Sequence, residues 1–206
     1  MGRIMDGRKL ACLYSYGCTR ATSLGVNDQL LRYIKKRDFD VSPIIEKLFS
    51  FSRYQKIAQL IGSEDCFNER VLRAYWLGDR RENLPHNFFT HNFSMLAKFR
   101  DINADEHLPA LMLYEMLDCA VSFGRVLAPD DINKKVWVVN QRLLYQSGKV
   151  FWGEKVREVN TIFIRNPQKG NIVSIHLAIA REKISRRQAE TLKNITLEAL
   201  KTLKIA

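Results

Sequence analysis

Thiols and imidazoles are the side chains in this sequence best suited to metal or nucleophilic chemistry, because both can present a lone pair near neutral pH. The cysteines are Cys12, Cys18, Cys66 and Cys119. None falls in a C-x-x-C pair, so no zinc knuckle is spelled out, and four scattered thiols do not make a disulfide framework in a chain of 206 residues. Cys18 lies beside Gly17 and Arg20 in a stretch rich in small and hydroxylated residues, where neighbouring positive charge could make it reactive. Packing as an inert thiol is the competing reading. His-Asn-Phe occurs twice, at His86 and at His91. A spacing of five places the two imidazoles on different faces of a helix and on opposite faces of a strand. They are therefore no ready metal pair, and an Asn-rich turn anchored by Phe explains them as well. His176 closes the run Ile172-Val173-Ser174-Ile175-His176, where one hydrogen bond would satisfy it as a structural residue. His176, Cys18, His86 and His91 are the candidate ligand- or partner-binding residues; no catalytic residue stands out, and the metal is unspecified. The P-loop, dinucleotide-binding, zincin and hydrolase-elbow signatures are all missing from the sequence, so no cofactor is expected and an enzyme is disfavoured.

The elements that would hold these residues fall into two regimes. Upstream of residue 133 the apolar residues repeat at helical spacing. Helices are expected over Lys9 to Tyr16, around Leu30 to Ile34, from Ser42-Pro43 through Ile61 with Gly62 as the stop, around Val71 to Trp76, and from Pro109 to Val121. Gly124, Pro129, Asp130 and Asp131 read as the helix exit and the boundary between units. Downstream, Val136–Val139, Leu143–Tyr145, Val150–Trp152, Val156–Ile164 and Ile172–His176 read as strands, with a hairpin turn at Gln146–Lys149 where Gly148 is available for positive φ. Ser185-Arg186-Arg187-Gln188 is a capping box opening an amphipathic closing helix. The expected fold is α+β: a helical domain over residues 1–132, then a small OB-like β-barrel with a C-terminal helix over residues 133–206.

Composition narrows the setting. A 46% hydrophobic and 27% charged chain is globular. It has no apolar run of the roughly 18 residues a membrane span needs and no apolar signal core at its N-terminus, so no membrane association and a cytoplasmic location are expected. The net charge of +11 favours an acidic partner or nucleic acid, although solvated helix faces would look the same.

The segment from Val150 to about Leu203 resembles the HypC-type hydrogenase assembly chaperones, small β-barrels with a C-terminal helix. The likeness rests on Val150-Phe151-Trp152-Gly153-Glu154-Lys155-Val156, on Gly170-Asn171-Ile172-Val173-Ser174-Ile175-His176, and on Ala178 to Ser185 leading into the last helix. The chain as a whole resembles an uncharacterised prokaryotic family that pairs a helical domain with such a barrel. The resemblance implies an iron-centre precursor passed between partner proteins, with an N-terminal Cys and the His after the Val-x-Val strand implicated. That His corresponds to His176. The Cys has no counterpart at the N-terminus, where Gly2 stands, so a sulfur partner would have to come from Cys12, Cys18, Cys66 or Cys119, with Cys18 the first choice for its small-residue loop. Two functions stay open. One is a hydrogenase-associated accessory or maturation chaperone binding another protein, a hydrogenase subunit or maturation factor. The other is a basic nucleic-acid binder with Trp137, Tyr145, Phe151 and Trp152 as stacking platforms.

Overall fold

The structure is a computed structural model that describes residues 6–48, 50–78, 90–105, 117–130, 132–147 and 149–205, with the backbone alone at 103–105. His86, Gly148, Asp131 and most of the helix expected from Pro109 lie outside the described residues. The chain divides into two compact units, Met1–Phe89 and Thr90–Ala206.

In the first unit the described elements are α1 (Gly7–Ser15), α2 (Thr19–Ser23), α3 (Asn27–Lys36), α4 (Ser42–Ile45), α5 (Phe51–Leu60) and α6 (Glu69–Leu77). α1 packs on α3 and α6, and α5 on α6. Tyr14 stacks on Trp76 with ring centroids 5.0 Å apart, and the Trp76 indole N–H donates to the buried Tyr54 hydroxyl at 3.0 Å. Buried aromatic polar tips are thereby satisfied within the core. Gly7 is sterically required: a Cβ there would fall 1.6 Å from the carbonyl oxygen of Phe67. Two expectations are corrected here. The helix from Ser42 to Ile61 is broken into α4 and α5, and the stretch read as a loop around Cys18 contains α2.

The second unit is α7 (His91–Asp105), β1 (Ser122–Asp130), β2 (Lys135–Gln146), β3 (Lys149–Asn160), β4 (Ile172–His176), β5 (Ile179–Lys183) and α8 (Arg186–Leu203). Helices precede a five-stranded sheet that a C-terminal helix follows, which is the α+β organisation read from the sequence. The strands are ordered β1-β2-β3-β5-β4, and β1 also pairs with β4, so the sheet closes on itself. All pairings are antiparallel except the short parallel contact between β3 and β5 at Asn160 and Ile179. Val126, Val136, Val138, Val159, Val173, Ile175 and Ala180 fill its interior. A second core lies where Met95, Leu96 and Phe99 of α7 meet Ala199, Leu200 and Leu203 of α8 and Leu143 and Val150 of the β2–β3 hairpin. The capping box is present as expected: Gln188 N–H donates to Ser185 Oγ at 3.2 Å, and Ser185 N–H to Gln188 Oε1 at 2.9 Å.

The strand expectations need three corrections. Residues 122–130, read as a helix exit, form β1. Gly124 leaves room inside the closed sheet, since a Cβ there would lie 2.8 Å from Cβ of Val138. Pro129 falls beyond the four β1 residues paired with β4, so its missing N–H costs no bond on that side. β2 and β3 are each continuous, with Arg142 opposite Gly153, and β3 stops at Asn160 rather than Ile164. The fifth strand, β5, was hidden: Leu177 and Ala178 both take positive φ (54° and 56°) and turn the chain in two residues between His176 and Ile179. That turn type favours Asn and Gly, and Leu-Ala carries no such signal.

Candidate metal centre

His176, fully buried, is the last residue of β4. β1 pairs with β4 through Ser122 and Ile175, so the chain just ahead of β1 meets the end of β4. Cys119 lies in that approach segment. Its Sγ is 3.6 Å from His176 Nε2 and 3.8 Å from His91 Nε2. His91 opens α7, and its ring stands edge-on to that of His176 with centroids 5.1 Å apart. One ligand atom from each of His91, Cys119 and His176 lies within 4.8 Å of the others, and no other such group occurs among the described residues. A thiolate–metal bond of about 2.3 Å and an imidazole–metal bond of about 2.0 Å at a tetrahedral angle place sulfur and nitrogen roughly 3.5 Å apart. The sulfur–nitrogen separations here fit that requirement, so these residues suit a soft or borderline transition metal.

Polar contacts fix the three segments. Asn92, buried next to His91, donates to the carbonyl of Val121 and to Thr196 Oγ1, both at 2.8 Å, and accepts from Val121 N–H at 2.7 Å. The start of α7 is thus tied both to the segment carrying Cys119 and to α8. Leu177 N–H donates to the carbonyl of Asp118 at 3.0 Å, which joins the residues that follow His176 and precede Cys119. The Asp118 carboxylate accepts from Arg142 at 2.7 Å and Arg157 at 2.9 Å. The buried Arg181 guanidinium donates from Nε (3.2 Å) and Nη2 (2.9 Å) to the carbonyl of His176.

Electrostatics agree with ligand duty. Burial pushes the His91 imidazole down to about 4, assisted by Lys98 and opposed by its bond to the Cys119 carbonyl, so the ring is neutral at pH 7. A neutral imidazole is what a metal binds. Burial, and next the charge of Arg142, lower Arg157, with Asp118 opposing. The Cys12 thiol is raised to about 12 by burial and then by Asp6, which makes it inert.

Of the four candidates, His91 and His176 come together. Cys18 belongs to the first unit, where its sulfur caps α2 by accepting from Ala21 N–H at 3.4 Å. The sulfur beside His176 is that of Cys119, which the sequence reading placed in a helix. His91-Asn92-Phe93 opens α7 rather than forming a turn. The signal that could have found Cys119 was its place just ahead of a strand, and this was lost when Gly124 and Pro129 were read as helix-ending residues.

Residues 81–205 match the model of a family described as "Family of unknown function (DUF6390)". No curated protein and no solved structure matches the chain. No helix among the described residues is long and apolar enough to cross a membrane.

Proposed function

The chain belongs to the DUF6390 family of unknown function, and from that premise we propose that its second unit is a hydrogenase-associated accessory or maturation chaperone that holds a soft metal centre as cargo while docked on a partner protein. The observation that carries this reading is the 3.6 Å approach of Cys119 Sγ to His176 Nε2. The resemblance to HypC-type chaperones implies an N-terminal Cys acting with the His after the Val-x-Val strand. Here Cys119, just ahead of β1, is the thiol that stands beside His176 at the end of β4. The strand order β1-β2-β3-β5-β4, with its parallel β3–β5 contact, supports an OB-like barrel. Cys119 would supply the soft anionic ligand after releasing its proton to solvent, and His176 a neutral nitrogen. Arg181 and the Asp118–Leu177 bond would keep the two aligned by restraining the backbone on either side of His176.

A nucleic-acid role draws on the net charge of +11 and on Trp137, 48% exposed on β2. Two facts weaken it. Trp152 and Tyr145 pack against the second core, so neither is a free stacking platform. Trp137 faces Glu158, itself paired with Lys135, across the β2–β3 ladder, and Gln141 donates to Glu154 along it, so the face around Trp137 is not uniformly basic.

The test is purification of the tagged chain from its native host under reducing, anaerobic conditions. We expect a bound transition metal and a copurifying polypeptide, with the metal lost in Cys119→Ser and His176→Ala. Recovery of RNA or DNA alone, released between low and moderate salt, would replace this reading with the nucleic-acid one.

A further inference from the structure

We propose that His91, supplied by α7 rather than by the closed sheet, is an exchangeable third ligand that moves from the Cys119 carbonyl to the metal when the site fills. The inference rests on the reading that Cys119 and His176 hold a metal, and goes beyond it by assigning how the site is completed.

Its first support is geometric. His91 Nε2 is 3.8 Å from Cys119 Sγ, nearly the separation shown by His176, so both imidazoles address the same sulfur. The second is the hydrogen bond His91 makes within the fold. Its Nε2 is 2.8 Å from the carbonyl oxygen of Cys119. A carbonyl only accepts, so Nε2 carries the ring proton there. A ligating nitrogen must be free of its proton. The same atom therefore cannot serve the carbonyl and a metal together. On metal binding the Nε2 proton leaves to solvent and Nδ1 takes one up, so the ring stays neutral, and the Cys119 thiol proton is released. The net change is one proton lost.

The third support is how α7 is held. Asn92 ties the helix start to Val121 and to Thr196, so the imidazole beside it is carried on the same frame that carries Cys119. With that frame fixed, exchanging one partner of His91 for the other needs only a reorientation of its ring, whose Nε2 already lies 3.8 Å from Cys119 Sγ. Three protein ligands of the type S, N, N leave a fourth position open, as in metal sites that exchange a ligand rather than structural ones. The donor set suits late first-row ions such as cobalt(II), nickel(II), copper and zinc.

The experiment titrates the 206-residue chain, stripped of metal, with Co2+ alone under reducing, anaerobic conditions. The wild type should bind one equivalent, with a near-ultraviolet thiolate-to-cobalt charge-transfer band and visible bands of four-coordinate cobalt. Cys119→Ser should lose the charge-transfer band. His91→Ala should keep it, bind cobalt at least about 10-fold more weakly and show altered visible bands, and added imidazole should restore the wild-type spectrum. His91→Asn, which keeps a donor for the Cys119 carbonyl but fills the space imidazole would enter, should show the weaker binding and altered bands without the imidazole response, and serves for affinity and spectrum if the alanine variant fails to fold. Wild-type affinity and spectrum in a folded His91 variant, or no response of His91→Ala to imidazole, would overturn the role of His91 while leaving Cys119 and His176 as a metal pair. No cobalt bound by the wild type would overturn both readings.

Discussion

At the scale of single residues, the site includes a histidine whose proton affinity the fold lowers. His91 has its ordinary value near 6.5 in the unfolded chain and is pushed down to about 4 in the fold by burial. The unfolded state therefore binds more protons between these values, and stability rises with pH across that window. The contribution is complete above pH 6.5 and is lost as the pH falls towards 4, by at most about 3 kcal/mol. We expect urea midpoints of the metal-free protein to fall from pH 7 to pH 4.5, and the difference between wild type and His91→Gln to shrink along the way. A difference that stays constant with pH would show that His91 is not buried as a neutral ring. Much at this scale was legible beforehand: His176 and His91 were both identifiable, one as a strand-end histidine and the other in a repeated His-Asn-Phe. Their convergence was not, because residues separated by 85 positions (176 − 91) meet only through the register of β1 with β4 and the anchoring of α7 by Asn92.

Among the elements, the least legible is the β4–β5 hairpin. Its two turn residues, Leu177 and Ala178, hold φ of 54° and 56°, a region that disfavours any residue with a Cβ by roughly 1–2 kcal/mol. The turn nonetheless does two things for the site: it ends β4 at His176, and it presents Leu177 N–H to Asp118 next to Cys119. Strain beside a functional group is a recurring arrangement. Replacing Ala178 with Gly removes the Cβ penalty, and part of that gain is offset by the greater freedom of Gly in the unfolded chain. The expected outcome is a rise in stability of about 0.5–1 kcal/mol, read as a higher denaturant midpoint at unchanged slope. A lower midpoint would mean that the Ala178 methyl contributes more packing than the turn costs. The helix ends illustrate the opposite case. The Ser185–Gln188 capping box and the left-handed Gly62 just past α5 were readable because each is a local rule satisfied within a few residues. The β4–β5 turn violates its local rule, and β1 was masked by a Gly and a Pro whose roles depend on neighbours distant in sequence.

For the whole molecule, periodicity and packing divide the chain at different places. The change from helical to alternating spacing was placed near residue 132, whereas compactness groups residues 90–206 together. α7 is helical and still belongs with the sheet, because Met95, Leu96 and Phe99 share one core with Leu143, Val150 and the last turns of α8. All three members of the candidate metal centre, His91, Cys119 and His176, lie inside this second unit, and the family match over residues 81–205 covers it nearly to its end. A unit with two buried apolar clusters, a closed sheet and a capped terminal helix has what independent folding requires at this size. Residues 81–206 produced alone should therefore unfold in one cooperative transition and bind Co2+ with the charge-transfer band of the full chain, at an affinity within about 3-fold, the usual spread of context effects where no ligand is lost. The same fragment with Cys119→Ser should fold equally well and bind no cobalt through sulfur. A wild-type fragment that folds and fails to bind would place a necessary ligand or brace in residues 1–80, and the metal centre would then belong to the whole chain rather than to its second unit.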